Sequence, residues 1–113
     1  MACLFCRIAA GEISAQLVYQ DEQLIVIEDI NPAAPQHLLL IPRKHIAGTL
    51  DLLPEDDMLV GHIYRVAAAL ARERGVAESG FRIIANTNAD AGQSVFHIHF
   101  HLLAGRQMAW PPG

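Results

Sequence analysis

No stretch of the chain approaches the roughly 20 consecutive apolar residues a membrane-spanning helix needs, and no basic segment followed by a long apolar one opens it. The expectation is a cytoplasmic protein with no membrane partner. Basic runs are also missing: eight Lys and Arg against twelve Asp and Glu leave a net charge of −4. That balance offers no electrostatic footprint for a nucleic-acid polymer, although local donors can still hold a single nucleotide. Cysteine is scarce, with only Cys3 and Cys6 present. Two thiols in a C-x-x-C, in a chain read as cytoplasmic, argue against a disulfide framework and leave metal binding or redox chemistry open. Charged residues make up only 18% against 52% apolar, which excludes extensive disorder. The 113 residues are read as one domain, residues 1–113, able to bury about two-thirds of the unfolded surface.

Residues 3–10 are expected to form a short helix stopped by Gly11 at its C′ position, with the cysteines about one turn apart. Two short β-prone runs, 17–19 and 24–28, flank a turn at Gln20-Asp21-Glu22-Gln23. Asn31-Pro32-Ala33-Ala34-Pro35 cannot continue a central strand, because each proline removes a ladder donor. His37 then introduces the apolar run Leu38-Leu39-Leu40-Ile41, closed by Pro42, which reads as a buried strand. From 54 to 74 the period becomes helical, with Leu59, Ile63, Val66, Ala67 and Leu70 spaced by three and four. Pro54 and the acidic Glu55, Asp56 and Asp57 suit its start, and Arg72, Arg74 and Gly75 its end. Strands over 81–86 and 95–103, separated by a loop over 87–94, complete an α+β domain in which one long helix covers a mostly antiparallel sheet.

Three of the six histidines fall in His97-Ile98-His99-Phe100-His101. On a strand the imidazoles share one face about 6.6 Å apart, and Ile98, Phe100 and Leu102 point to the other. Imidazole titrates near neutral pH, so such a face suits nucleophilic or acid–base chemistry and equally suits a metal. No carboxylate lies within the motif to complete a metal triad. The preceding Gly92-Gln93-Ser94 allows close backbone approach and supplies short donors for phosphate oxygens. His62, off the apolar stripe of the long helix, reads as a solvated surface residue.

The His-x-His-x-His run with apolar residues between and after it resembles the signature of the histidine triad family. Asp29-Ile30, Pro35-Gln36-His37, Ile41-Pro42-Arg43-Lys44-His45-Ile46, Asn86, Gly92-Gln93-Ser94-Val95-Phe96, Gly105-Arg106-Gln107-Met108 and Trp110-Pro111-Pro112-Gly113 resemble, in order, its nucleoside phosphoramidase branch. The resemblance implies a five-stranded, mostly antiparallel sheet with one long helix and a short N-terminal helix. It implies hydrolysis of the P–N bond of purine nucleoside 5′-phosphoramidates, and of aminoacyl adenylates, with His99 as nucleophile. His101, His97, His37 and Ser94 are the supporting catalytic positions, and Gln93 and Ser94 are expected to hold phosphoryl oxygens. Asp29 matches the position that grips the ribose, and Asn86, Gly92 and Ile30 match other nucleotide positions. Leu4, Phe5, Ile8, Ile27, Ile30 and Leu39 are expected to form a slot for the base.

Asp29 can equally cap the turn before Asn31-Pro32. No cofactor is required for this chemistry. Bacterial relatives with an N-terminal Cys-x-x-Cys complete a structural zinc with two histidines, and the matching residues here are Cys3, Cys6, His45 and His97. His97 then either ligates zinc or supports the triad through His37. A homodimer is implied, with the face of Ala67, Ala68, Ala69 and Ala71 packing on a partner and Trp110 reaching a neighbouring site. The alternatives are a dinucleoside polyphosphate hydrolase and a nucleotide- or zinc-binding interaction protein with residual catalysis.

Overall fold

A computed structural model describes residues 3–113. The chain runs α1 (Leu4–Ala9), β1 (Leu17–Gln20), β2 (Leu24–Glu28), β3 (Gln36–Pro42), α2 (Asp57–Glu73), β4 (Phe81–Ile84) and β5 (Phe100–Ala104). The five strands form one sheet in the order β1-β2-β3-β5-β4, each adjacent pair antiparallel. The expected architecture is present. The β1–β2 turn is built by Asp21, whose Oδ1 accepts the amides of Gln23 at 2.8 Å and Leu24 at 2.9 Å, an Asx-type turn.

The central strands β2 and β3 are apolar without interruption because both sheet faces are covered. Side-chain alternation sorts them. Leu24, Val26, Leu38 and Leu40 join Ile63, Val66, Ala67, Leu70 and Ala71 of α2 in the main core, with Phe100 and Leu102 of β5. Ile25, Ile27, Leu39 and Ile41 face the other way, where Phe5 of α1 covers them. The sheet therefore has a large core on one side and a small one on the other, and the small side carries the histidines.

Helix α2 is preceded by a 3-10 turn, Pro54–Asp56, in which the buried Asp56 carboxylate accepts the Leu53 amide and the Lys44 ammonium. Ala67 and Ala71 are fully buried against the sheet, so they belong to the core rather than to an outward face. The helical period carries them to the side of Ile63 and Leu70, leaving only Ala68 and Ala69 of that set turned away. His62 also departs from expectation: its Nε2 lies 2.7 Å from Asp21 Oδ2, which ties α2 to the β1–β2 turn. No helix among the described residues is long and apolar enough to cross a membrane.

Candidate active site and an adjacent ligand cluster

The histidine run is not one continuous strand. Ladder pairing of β3 with β5 extends to Leu40 opposite Phe100, so only His101 of the three lies within the strand. Pro42 explains the stop, since it has no N–H to offer and its carbonyl is taken by the His97 ring at 2.7 Å. The Ile98 amide turns instead to the Ile46 carbonyl at 2.6 Å. Freed from the pleat, the imidazoles diverge. His99 and His101 stay together, with ring centroids 5.1 Å apart, while His97 turns toward the cysteines.

The hydrogen bonds assign each tautomer. The Ala33 amide donates to His37 Nδ1 at 2.9 Å, so the His37 proton sits on Nε2. That N–H faces His101 Nδ1 at 2.9 Å and Asp29 Oδ2 at 3.3 Å. His101, accepting at Nδ1, carries its own proton on Nε2. His99 donates from Nδ1 to the His97 carbonyl at 2.8 Å, which leaves the lone pair on Nε2. Phe5 presses edge-to-face on the His99 ring at 5.0 Å between centroids.

Burial lowers the pKa of His101 to about 4, with the positive ends of His99 and His37 adding to it and Asp29 opposing. Burial likewise lowers that of His37 against the pull of Asp29. Both rings are neutral at pH 7, so the His37–His101 bond joins two uncharged imidazoles.

His99 and His101 open onto a cavity of about 330 Å³. Leu4, Phe5 and Ile8 of α1 form one wall and Ile27 and Leu39 of the sheet another, and Asp29 and Ser94 are among its polar lining residues. The apolar residues expected to lie together do line one cavity, although Ile30 is 88% exposed and closes nothing. Asn86, Gly92 and Gln93 are not among the lining residues. Gln93 is buried, and its side chain is committed to the loop: Oε1 accepts the Asn88 amide, and Nε2 donates to the carbonyls of Ala47 and Val95. Asp29 caps the turn as the sequence suggests and also lines the cavity. Its Oδ1 accepts the Asn31 amide at 2.8 Å as a turn cap, and its other oxygen faces His37 beside the cavity.

Sequence reasoning missed residues 13–16, which line the cavity between α1 and β1. Four residues without periodicity carry no signal that would have marked them. It also missed the Ala33 amide, because a main-chain donor has no residue-type signature.

Behind His99, the side chains of Cys3, Cys6, His45 and His97 bring one donor atom each to within 4.8 Å of the others. His97 Nδ1 lies 3.3 Å from Cys3 Sγ, 3.5 Å from Cys6 Sγ and 3.1 Å from His45 Nδ1, and Cys6 Sγ lies 3.3 Å from His45 Nδ1. With its proton held on Nε2 by Pro42, His97 turns a lone pair into this group. Tetrahedral zinc with nitrogen at about 2.0 Å and sulfur at about 2.3 Å sets ligand–ligand edges of about 3.3–3.8 Å. The donor set and its spacing fit that ion. The His97 ring lies in this cluster and not against His37, while its carbonyl holds the His99 ring.

The family model described as "Scavenger mRNA decapping enzyme C-term binding" matches residues 2–110. The purine nucleoside phosphoramidase of Escherichia coli strain K12 is 43% identical over 105 residues, covering 93% of this chain and 88% of that one. A HIT family hydrolase from Legionella pneumophila Philadelphia 1 is 50% identical and superposes with a TM-score of 0.97 over 99% of this chain and all of its own. A zinc-bound histidine triad family protein from Mycobacterium smegmatis is 34% identical, with a TM-score of 0.80 over 93% of this chain and 76% of its own. With the fold, the paired His99 and His101 and these likenesses in agreement, the chain belongs to the histidine triad (HIT) family, among hydrolases.

Proposed function

We propose that the chain hydrolyses the P–N bond of purine nucleoside 5′-phosphoramidates through a covalent nucleotidyl-His99 intermediate. The observation that carries this reading is the His99 tautomer: the His97 carbonyl holds Nδ1–H and leaves Nε2 as a lone pair beside a nucleotide-sized cavity. Nε2 attacks the α-phosphorus, a P–N bond forms to the ring, and the bond to the leaving amine breaks as that nitrogen takes up a proton, with Ser94 placed to assist. Water then attacks the same phosphorus, releasing the mononucleotide and restoring the imidazole. Aminoacyl adenylates follow the same course with a carboxylate as leaving group.

His101 acts as a neutral donor. Its Nε2–H is fixed by His37, so it is oriented toward charge that builds on the phosphoryl oxygens before any substrate arrives. The Ser94 hydroxyl and the adjoining amides share that task, while the carboxylate of Asp29, which lines the cavity, suits the ribose hydroxyls. The apolar walls suit a purine. The phosphoramidase activity named for the Escherichia coli relative supports the same substrate class.

The reading includes a structural zinc held by Cys3, Cys6, His45 and His97, as the fit of that donor set and the zinc-bound Mycobacterium smegmatis relative support. Such an ion ties chain segments together, and no step of the hydrolysis uses it. A homodimer in the cytoplasm completes the reading, with the exposed Trp110 available to a partner.

Mass spectrometry of protein quenched rapidly during turnover of an adenosine phosphoramidate tests the proposal. An adenylyl adduct that maps to His99 is expected. Turnover undiminished in His99→Ala would remove this residue as nucleophile, and faster cleavage of a dinucleoside triphosphate than of the phosphoramidate would reassign the substrate.

A further inference from the structure

Helix α1 takes part in two sites at once. One side of it, Leu4, Phe5 and Ile8, walls the nucleotide cavity, while Cys3 at its N-cap and Cys6 one turn on enter the ligand cluster with His45 and His97. At six residues it is far below the length at which a helix persists by itself in water, so its position is set by what holds it. Three attachments do so. Phe5 is 5% exposed against the sheet, Arg43 Nη1 donates to the Ala9 carbonyl at 3.0 Å at the C-terminal end, and the cysteine–histidine cluster holds the N-terminal end. Leu4, by contrast, is 45% exposed, so packing alone fastens that end weakly.

The cluster as it stands brings two thiols and two imidazole nitrogens to 3.1–3.5 Å contacts. A closed four-ligand zinc site contributes folding free energy directly to the segments it joins.

We infer that Cys3 and Cys6 are positioning residues for nucleotide binding: zinc in the cluster fixes α1 as the wall of the cavity, so metal and nucleotide bind cooperatively. A second link runs through His97, whose ring joins the cluster while its carbonyl holds His99 Nδ1. The inference rests on both the nucleotide and the zinc readings given above. Because coupling free energy is reciprocal, zinc must tighten the nucleotide by the same factor by which the nucleotide tightens zinc.

The test uses the full chain, zinc ions and AMP. Calorimetry gives the AMP Kd with zinc bound and after removal of metal by a chelator that is then dialysed away. Competition with a chromophoric chelator gives the zinc Kd with and without saturating AMP. Both are expected to change by the same factor of about 10, within the roughly 5- to 150-fold range of coupled sites. The Cys3→Ser, Cys6→Ser double variant should bind AMP as weakly as the metal-free parent and ignore added zinc. Phe5→Ala should still bind zinc but show a smaller coupling factor, since the contact between α1 and His99 is gone. Zinc and AMP both binding, with neither altering the other's Kd, overturns the coupling alone. Failure of zinc to bind overturns it together with the zinc reading, and failure of AMP to bind in either metal state overturns it together with the nucleotide reading.

Discussion

Gln93→Ala separates a phosphate ligand from a structural brace. In the folded chain the Gln93 amide bridges three main-chain groups: the Asn88 N–H at 2.9 Å, the Ala47 carbonyl at 2.8 Å and the Val95 carbonyl at 3.1 Å. The Asn88 carbonyl also receives the Gln93 N–H at 3.1 Å, so the two residues clasp each other. The clasp holds Asn88 at φ 64° and ψ −169°, a region that side-chain-bearing residues seldom occupy. Each bond is worth about 1 kcal/mol net, and Asn88 is exposed whereas Ala47 and Val95 are half-buried, so water replaces the lost bonds only in part. The substitution should therefore cost about 2–3 kcal/mol.

With a urea m-value of about 2 kcal/mol/M for a domain of this size, the midpoint should fall by about 1–1.5 M. Urea unfolding of parent and variant, followed by tryptophan fluorescence and circular dichroism, gives that number. Ser94 follows Gln93 directly, so kcat should also drop as the loop loosens. A midpoint unchanged within about 0.2 M, combined with a raised KM for the phosphoramidate, would refute the argument and return Gln93 to the phosphate.

Gly105 has φ +95°, and a Cβ built there would lie 2.9 Å from Pro35 Cβ, so Gly105→Ala should lower stability by more than about 1 kcal/mol in the same unfolding assay. Burial pushes the Asp21 carboxyl up, but bonds from His62, the Gln23 amide, Tyr19 and the Leu24 amide outweigh it and hold it below the usual carboxylate range. A depressed folded pKa contributes stability above the unfolded value near pH 3.9 that is lost as pH falls further, so the stability advantage of the parent over Asp21→Asn should shrink below about pH 4. NMR titration of the imidazoles should find His101 protonating near pH 4, with its ring neutral from pH 8 down to about 5; a midpoint at 6 or above would contradict the burial argument. Elemental analysis should return about one zinc per chain for the parent and none for the Cys3→Ser, Cys6→Ser variant.

Much of this molecule was legible because local physics and tertiary packing agree. The three-and-four spacing in α2, the proline and acidic start of that helix, Gly11 after α1 and the apolar run ended by Pro42 all specify elements through steric and periodic rules that act over a few residues. The α+β class, the pairing of His99 with His101 and the apolar slot from α1 and the sheet followed from the same patterns and from the family resemblance. Where the reading failed, the determining partner was remote in sequence. Regular alternation put His97 on the face of His99 and His101, and Phe5 touches both His97 and His99 there, but the expected continuous strand is absent: the His97 ring bonds to Pro42, 55 residues earlier, and a proline that cannot donate ends the ladder there. His62 looked solvated until Asp21, 41 residues away, was brought beneath it.

The sequence by itself determined which residues were chemically able to act: imidazoles, thiols, a carboxylate and a serine loop at recognisable spacings. Only the tertiary structure decided which nitrogen of the His37, His97, His99 and His101 rings carries its proton, because that depends on how each ring is turned toward its partner: the Ala33 amide, the Pro42 and His97 carbonyls and the His37 ring. It likewise separated Gln93, whose amide is consumed by three backbone partners, from Ser94, which reaches the cavity. Hydrogen bonds to the backbone carry no residue signature, so their placement exists only once the chain has folded.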